Sequence, residues 1–194
     1  MNSINSLCVF CGSRTGDNPA YAAAATELGQ EMANREMSLV FGAGSIGIMG
    51  IVANAVAAGG GKVTGIIPEF LDDREVGMRG VDEFIVTPSM HVRKAKMFER
   101  SDAFVTMPGG LGSLDETFEI MTWRQLGLHD KPIIIANVDG YWDPLIALIE
   151  ATITRDFADA SARDLFTVVD DIPGIFTALA EEKPASSTAG TERL

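Results

Sequence analysis

Residues 107–116 read MPGGLGSLDE, three glycines and a serine ahead of two adjacent carboxylates. Glycines in such a loop let backbone N–H groups approach an anion closely, and a helix opening behind them turns its positive dipole end the same way. With Ser113 as N-cap, that helix end favours a phosphate without a lysine, by roughly 0.3–2 kcal/mol for the dipole alone. Ser113-x-x-Glu116 also fits a capping box, in which the glutamate bonds back to the cap residue's own N–H and does no chemistry. Helical spacing pulls the other way. Glu116, Ile120 and Trp123 fall at i, i+4 and i+7, which puts the carboxylate on an apolar stripe where it is costly unless a cation or a ligand hydroxyl satisfies it.

SMHVRKAKMFER, residues 89–100, offers such a cation. Arg93 shares a stripe with Met90 and Met97, whereas Lys94 and Lys96 point elsewhere. Alone, an arginine there reads as a chain lying along apolar surface with its head in water. Two opposite charges on apolar stripes beside one glycine loop suggest a joint site. Gly42-x-Gly44-x-x-Gly47 has the spacing of a dinucleotide fingerprint, but it follows the second strand, lacks the acidic residue expected about twenty positions on, and precedes a strand ending in Pro68. It reads as a phosphate contact or as a close helix–sheet packing point. Ala43 spoils the Gly-x-Ser-x-Gly pattern of a nucleophile elbow. His91 and His129 have no spacing that suggests a metal or a triad, and Cys8-x-x-Cys11 is half a zinc site placed in a strand. No cofactor and no metal are expected.

The elements that must position these groups alternate regularly. Strands are predicted near 5–10, 38–42, 62–67, 82–86, 102–107, 131–136 and 165–169, with helices near 18–36, 46–59, 89–100, 113–128, 141–156 and 171–182. Strands apolar on both faces and separated by helices imply an α/β fold, Rossmann-like and doubly wound, with a mainly parallel sheet of about seven strands covered on both faces. Ligands in such folds sit at the carboxyl ends of the strands where strand order reverses, which directs attention to CGSRTG, GAGSIG, PEFLDDRE, TPSMHVRK and PGGLGSLDE. Residues 1–182 are expected to form one domain, and the small, polar residues 183–194 to be a disordered tail. A net charge of −12 and a pI near 4.5 disfavour nucleic acid and anionic membrane surfaces. No apolar run approaches ~18 residues, and no basic segment precedes an apolar block, so a cytoplasmic protein without a membrane span is expected.

The run MHVRKAKMFERSDAFVTMPGGLGSLDETFEIMTWRQLGLHDKPI, together with CVFCGSRTG, LVFGAGSIGIMG, GGGKVTGIIP and NVDGYWDPL, resembles the LONELY GUY (LOG) family of cytokinin-activating phosphoribohydrolases, often labelled lysine decarboxylases. The resemblance covers nearly all of the chain except its tail. It implies hydrolysis of the N-glycosidic bond of purine nucleoside 5′-monophosphates, some N6-prenylated, to free base and ribose 5-phosphate. It further implies a catalytic pair at Arg93 and Glu116, and nucleotide contacts at Ser13, Gly44, Glu75, Met90, Lys94, Gly109, Gly110, Leu111, Gly112, Ser113 and Thr122. A homodimer is expected, with Ile120, Trp123 and Leu126 as candidates for its face. The chain departs from the family pattern at Ser113 (usually Thr), at Asp115 (usually Glu), at Ala43 in a usually all-glycine turn, and at Pro88-Ser89 before Met90, which leaves substrate preference open. Two other readings compete: a nucleotide sensor that does not cut its ligand, and the pyridoxal-phosphate decarboxylase of the old label, for which no motif is evident.

Overall fold

The computed structural model describes residues 4–72 and 77–181; Glu75 and residues 182–194, including the expected tail, lie outside them. Seven parallel strands form one sheet: β1 (Ser6–Phe10), β2 (Ser38–Phe41), β3 (Val63–Pro68), β4 (Glu83–Thr87), β5 (Ala103–Thr106), β6 (Ile133–Ala136) and β7 (Thr167–Val169). Their order is β4-β3-β2-β1-β5-β6-β7. The chain winds outward from β1 to β4, then crosses back over β1 to β5 and winds the other way. The reversal therefore falls between β1 and β5, where the carboxyl ends leave a crevice.

Helices cover both faces, as the doubly apolar strands require. On one face lie α1 (Pro19–Asn34), α2 (Gly47–Ala58) and α7 (Ile172–Glu181), packed on Leu7, Val9, Leu39, Phe41 and Val105. On the other lie α4 (Met90–Glu99), α5 (Leu111–Gln125) and α6 (Asp143–Thr154), packed on Cys8, Phe10, Val40, Phe104 and Ile133. Asn18 caps α1 by accepting from Ala20 N at 2.9 Å, with Pro19 at the first helical position. A methyl at Gly29 would lie 2.5 Å from Ala55 Cβ, so this glycine lets α1 and α2 approach closely.

Every predicted strand and helix is present, with ends shifted by a few residues. The structure adds a short helix, α3 (Glu69–Asp72), and 3-10 turns at Val138–Gly140 and Ala160–Leu165. The substantive difference is at α5. It starts at Leu111 with Gly110 as its N-cap and no side-chain capping bond. Ser113 is therefore the third helical residue and not the cap, and the expected capping box with Glu116 does not form. Gly109 explains the shift: its Cα packs against Gly12, and a methyl there would overlap the Ser113 hydroxyl, so the chain enters the helix before the serine.

Candidate active site

Arg93 on α4 and Glu116 on α5 meet as an ion pair, Nη1 to Oε1 at 3.0 Å. Both are buried, Arg93 at 8% and Glu116 at 7% exposure. The guanidinium is held at three further points. Its Nε donates to the Ile66 carbonyl at 3.0 Å, its Nη1 lies 3.8 Å from Met90 Sδ, and its Nη2 occupies the space where a side chain at Gly42 would stand. Ser89, whose hydroxyl accepts from Val92 N at 3.3 Å, caps α4 and sets this register. The stripe of Met90, Arg93 and Met97 thus faces inward, and the head of Arg93 reaches a carboxylate and not water.

Burial pushes the Glu116 carboxyl above the usual carboxylate range; the Arg93 charge opposes this without cancelling it, and Asp115 adds to the rise. Stripped of solvent, the carboxylate interacts strongly with any positive charge that develops nearby. Lys94, turned away by helical spacing but a nucleotide contact by resemblance, bridges α4 to α5, 3.1 Å from Asp115 and 3.0 Å from Glu119. Those carboxylates occupy it, and they lie on either side of Glu116 in sequence. Lys94, Glu116 and Glu119 share a small hollow with Phe10, Phe98 and Trp123, of about 10 Å³, far too small for a ligand.

The main cleft lies at the β1–β5 reversal and holds about 570 Å³. Its walls are Gly12 to Gly16 after β1, Tyr21, Ile48 and Tyr141, and Pro108 to Leu111 at the start of α5. Gly12 N donates to Pro108 O at 3.0 Å and Met49 N to Gly12 O at 3.2 Å, so the loops after β1 and β5 and the start of α2 are tied together. Gly47, at φ +65°, lies so close to the Ser13–Arg14 peptide that any side chain would overlap it. Tyr141 donates its hydroxyl to Gly109 O at 2.5 Å. Arg93 and Glu116 do not line this cleft. Glu116 follows Leu111 by five residues, about 7.5 Å along the helix axis, so the pair stands behind the helix start and not at the cleft wall.

The remaining expected residues divide. Ser13, Gly109, Gly110 and Leu111 line the cleft. Gly112 and the buried Ser113 follow in the first turn of α5, and Met90 touches Arg93. Gly44 is buried and pairs with Gly77 in an isolated antiparallel bridge. Thr122 belongs to neither the cleft nor the pair: it is exposed near the end of α5, its hydroxyl donating to Phe118 O at 2.7 Å. Ala43, the departure from an all-glycine turn, adopts φ +63°, and Gly65 makes room for it, since a methyl there would lie 2.9 Å from Ala43 Cβ. Gly12, Arg14, Tyr21 and Tyr141 lie outside the expected site residues. Gly12 and Arg14 fall within CGSRTG, after the first strand, which is a legible signal; Tyr21 and Tyr141 act through tertiary contacts that spacing does not encode, and Gly42, read from its spacing as a phosphate contact or a close packing point, makes room for the Arg93 guanidinium. Cys8 and Cys11 are both buried and free, and burial pushes both thiols up, away from the reactive thiolate. Among the described residues, no group of three or more His, Cys, Asp or Glu could hold a metal ion.

These features define a class: a Rossmann-like α/β protein with a glycine-rich cleft at the strand reversal and a buried Arg–Glu pair behind it. Comparison with known proteins narrows it. Residues 49–179 match the family model described as possible lysine decarboxylase. The chain is 47% identical over 178 residues to a probable cytokinin riboside 5′-monophosphate phosphoribohydrolase of Oryza sativa subsp. japonica, covering 92% of this chain and 78% of the relative. It is 43% identical over 180 residues to a cytokinin riboside 5′-monophosphate phosphoribohydrolase of Arabidopsis thaliana, covering 93% and 79%. The chain belongs to the LONELY GUY family. Its fold is shared with the molybdenum cofactor binding protein of Rippkaea orientalis, at a TM-score of 0.69 and 19% identity over 93% of this chain and 98% of that one. A Moco carrier protein from Chlamydomonas reinhardtii is similar at 0.68 and 19%, over 92% and 97%. The decarboxylase label calls for a lysine free to form an imine with pyridoxal phosphate; among the described residues the cleft lining contains no lysine, and Lys94 is held by two carboxylates.

Proposed function

We propose that this protein hydrolyses the N-glycosidic bond of purine nucleoside 5′-monophosphates, including N6-prenylated ones, releasing the free base and ribose 5-phosphate. The observation that carries this reading is the buried Arg93–Glu116 pair about a turn and a half behind an uncapped, glycine-rich helix start. The 5′-phosphate rests on Gly109 to Ser113 and Ser13, where the free helix end favours an anion. A sugar extending from that phosphate along α5 toward Glu116, about 7.5 Å beyond Leu111 along the helix axis, brings the anomeric carbon toward the carboxylate. As the bond from that carbon to the base breaks, its electron pair leaves with the base and positive charge grows on the sugar. Glu116 stabilises that charge in a site with little screening water, as carboxylates do in glycoside hydrolysis. Water supplies the hydroxyl to the sugar and the proton to the base. Arg93 holds Glu116 in place and offsets part of the cost of its burial. Gly44 and Met90 bound the sugar from the β2–α2 turn and from α4, and the phosphate's remote binding energy lowers the barrier. Lys94 supports this site from behind by occupying Asp115 and Glu119, leaving Glu116 as the carboxylate that meets the ligand.

A second copy of the chain completes the reading. Phe118 and Thr122 on α5 and Leu126 at its C-cap recur every fourth residue, and Phe118 at 36%, Leu126 at 68% and the following Leu128 at 66% exposure form an uncovered apolar stretch. Ile120 is buried and Trp123 half-buried against Phe98, so of the three dimer-face candidates Leu126 alone is available. Thr122, remote from its own cleft, sits on this face. Among the described residues no helix is long and apolar enough to cross a membrane, and a cytoplasmic setting suits the two reduced cysteines.

The test is release of free base from AMP and from an N6-prenylated analogue. Glu116→Gln and Arg93→Ala should each lower turnover at least about a hundredfold. Near-full activity in either variant removes that residue from the mechanism, and a wild-type protein that binds AMP without releasing adenine is a sensor and not a hydrolase.

A further inference from the structure

Arg14 stands apart from the other cations of the site. Among the described residues of the cleft lining, it is the one that carries a formal charge at neutral pH. Arg35, Arg79, Arg93, Arg100 and Arg163 each pair with a carboxylate, at distances from 2.5 to 3.1 Å. Arg14 makes no such pair among the described residues, and its side chain is exposed. Its backbone is nevertheless fixed. Gly47 packs directly on Arg14 N, the Arg14 carbonyl lies against Gly12, and Gly12 is bonded to Pro108 and Met49. A long cation thus rises from a rigid root at the mouth of a cleft whose described lining holds no carboxylate, in a protein of net charge −12.

Charge balance says what such a residue is for. A helix start supplies about half a positive charge, whereas a phosphate monoester carries about −1.5 to −2 at neutral pH. More than one unit is left over. We infer that Arg14 is a specificity-determining residue that neutralises the remaining charge of the substrate's phosphate, closing on it from the β1 loop while α5 holds it from the opposite side. Its planar fork suits bidentate contact with two phosphate oxygens. The residue selects 5′-monophosphates against uncharged nucleosides; Glu116 and Arg93, remote from the phosphate, do not share this task. The inference rests on the function proposed above for the phosphate's place in the cleft.

Two measurements test it. In base release, Arg14→Gln should raise KM for AMP about tenfold to a hundredfold, the range for a hydrogen bond to a charged group, with kcat changed less than threefold or so, and leave kcat/KM for adenosine unaltered. Arg14→Lys should recover part of the loss. In calorimetry, ribose 5-phosphate should bind the wild type more tightly than Arg14→Gln by the same factor, with a steeper dependence on salt. Unchanged AMP kinetics and unchanged ribose 5-phosphate affinity in Arg14→Gln would overturn the role of Arg14 while leaving the hydrolase intact. Failure of the wild type to release base, with ribose 5-phosphate binding still lost in Arg14→Gln, would overturn the hydrolase and leave the anion site. A wild type that does not bind ribose 5-phosphate overturns Arg14 outright.

Discussion

Gly42 decides where the Arg93 guanidinium can lie. A methyl at this position would overlap Nη2 and press on Met49 Sδ at 3.3 Å, so Gly42→Ala should push the head of Arg93 off Glu116. The expected outcome is a loss of turnover of about tenfold or more, with a stability cost of roughly 1–3 kcal/mol from overpacking. Base release and thermal melts read the two separately. Full activity would mean that the guanidinium can relax without leaving its partner. At this scale the sequence was informative about the pair and silent about its socket. The stripes of Met90, Arg93 and Met97 and of Glu116, Ile120 and Trp123 put each charge on an apolar stripe; alone, the arginine reads as a chain with its head in water, and only the two opposite charges taken together suggest a joint site. That Gly42 must be small follows only from β2 lying beside β3, the strand whose Ile66 carbonyl anchors the same arginine.

Helix α5 carries the site at one end and a titratable clip at the other. His129 Nε2 lies 2.9 Å from Ile120 O, and its Nδ1 accepts from Lys131 N at 3.1 Å, an arrangement open to the neutral ring. Burial lowers its pKa below the ordinary 6.5, with Arg124 and Lys131 adding to the fall and Asp130 and the Ile120 carbonyl opposing it. A histidine with a depressed folded pKa contributes stability that is complete above the unfolded value and fades as pH falls through about 6.5 and below. Wild type should therefore lose melting temperature between pH 7 and pH 5.5 faster than His129→Gln, which has no such group. Equal slopes would show that the ring does not report on folding. The sequence offered no sign of this clip, because its partners are main-chain atoms. The helix start was misjudged for a related reason: a serine in an N-cap pattern yields to the close approach of Gly109 and Gly12, a contact between two loops nearly a hundred residues apart. The strands, by contrast, were legible almost to their ends, because a parallel sheet buried on both faces demands unbroken apolar runs.

In the whole molecule, the uncovered apolar residues of α5 call for a second chain. Wild-type protein should run in light scattering at the mass of two chains, and Phe118→Glu with Leu126→Glu at the mass of one. A wild type that stays single at micromolar concentration would remove the dimer and, with it, any part for Thr122 in a shared site. Fold class was readable from the alternation of elements, whereas which α5 side chains stay uncovered depends on the assembled sheet and helices.

The strand order also constrains how the protein is made. β1 leaves the ribosome first, yet it ends at the centre of the sheet, and its neighbour β5 emerges some sixty residues after β2. During that interval the nascent chain can dock β2, β3 and β4 but must carry Leu7 to Phe10 as a bare apolar edge. Synthesis that stalls short of residue 103 strands that edge in the open, so the same reversal that creates the crevice also leaves a central strand unpaired until β5 emerges.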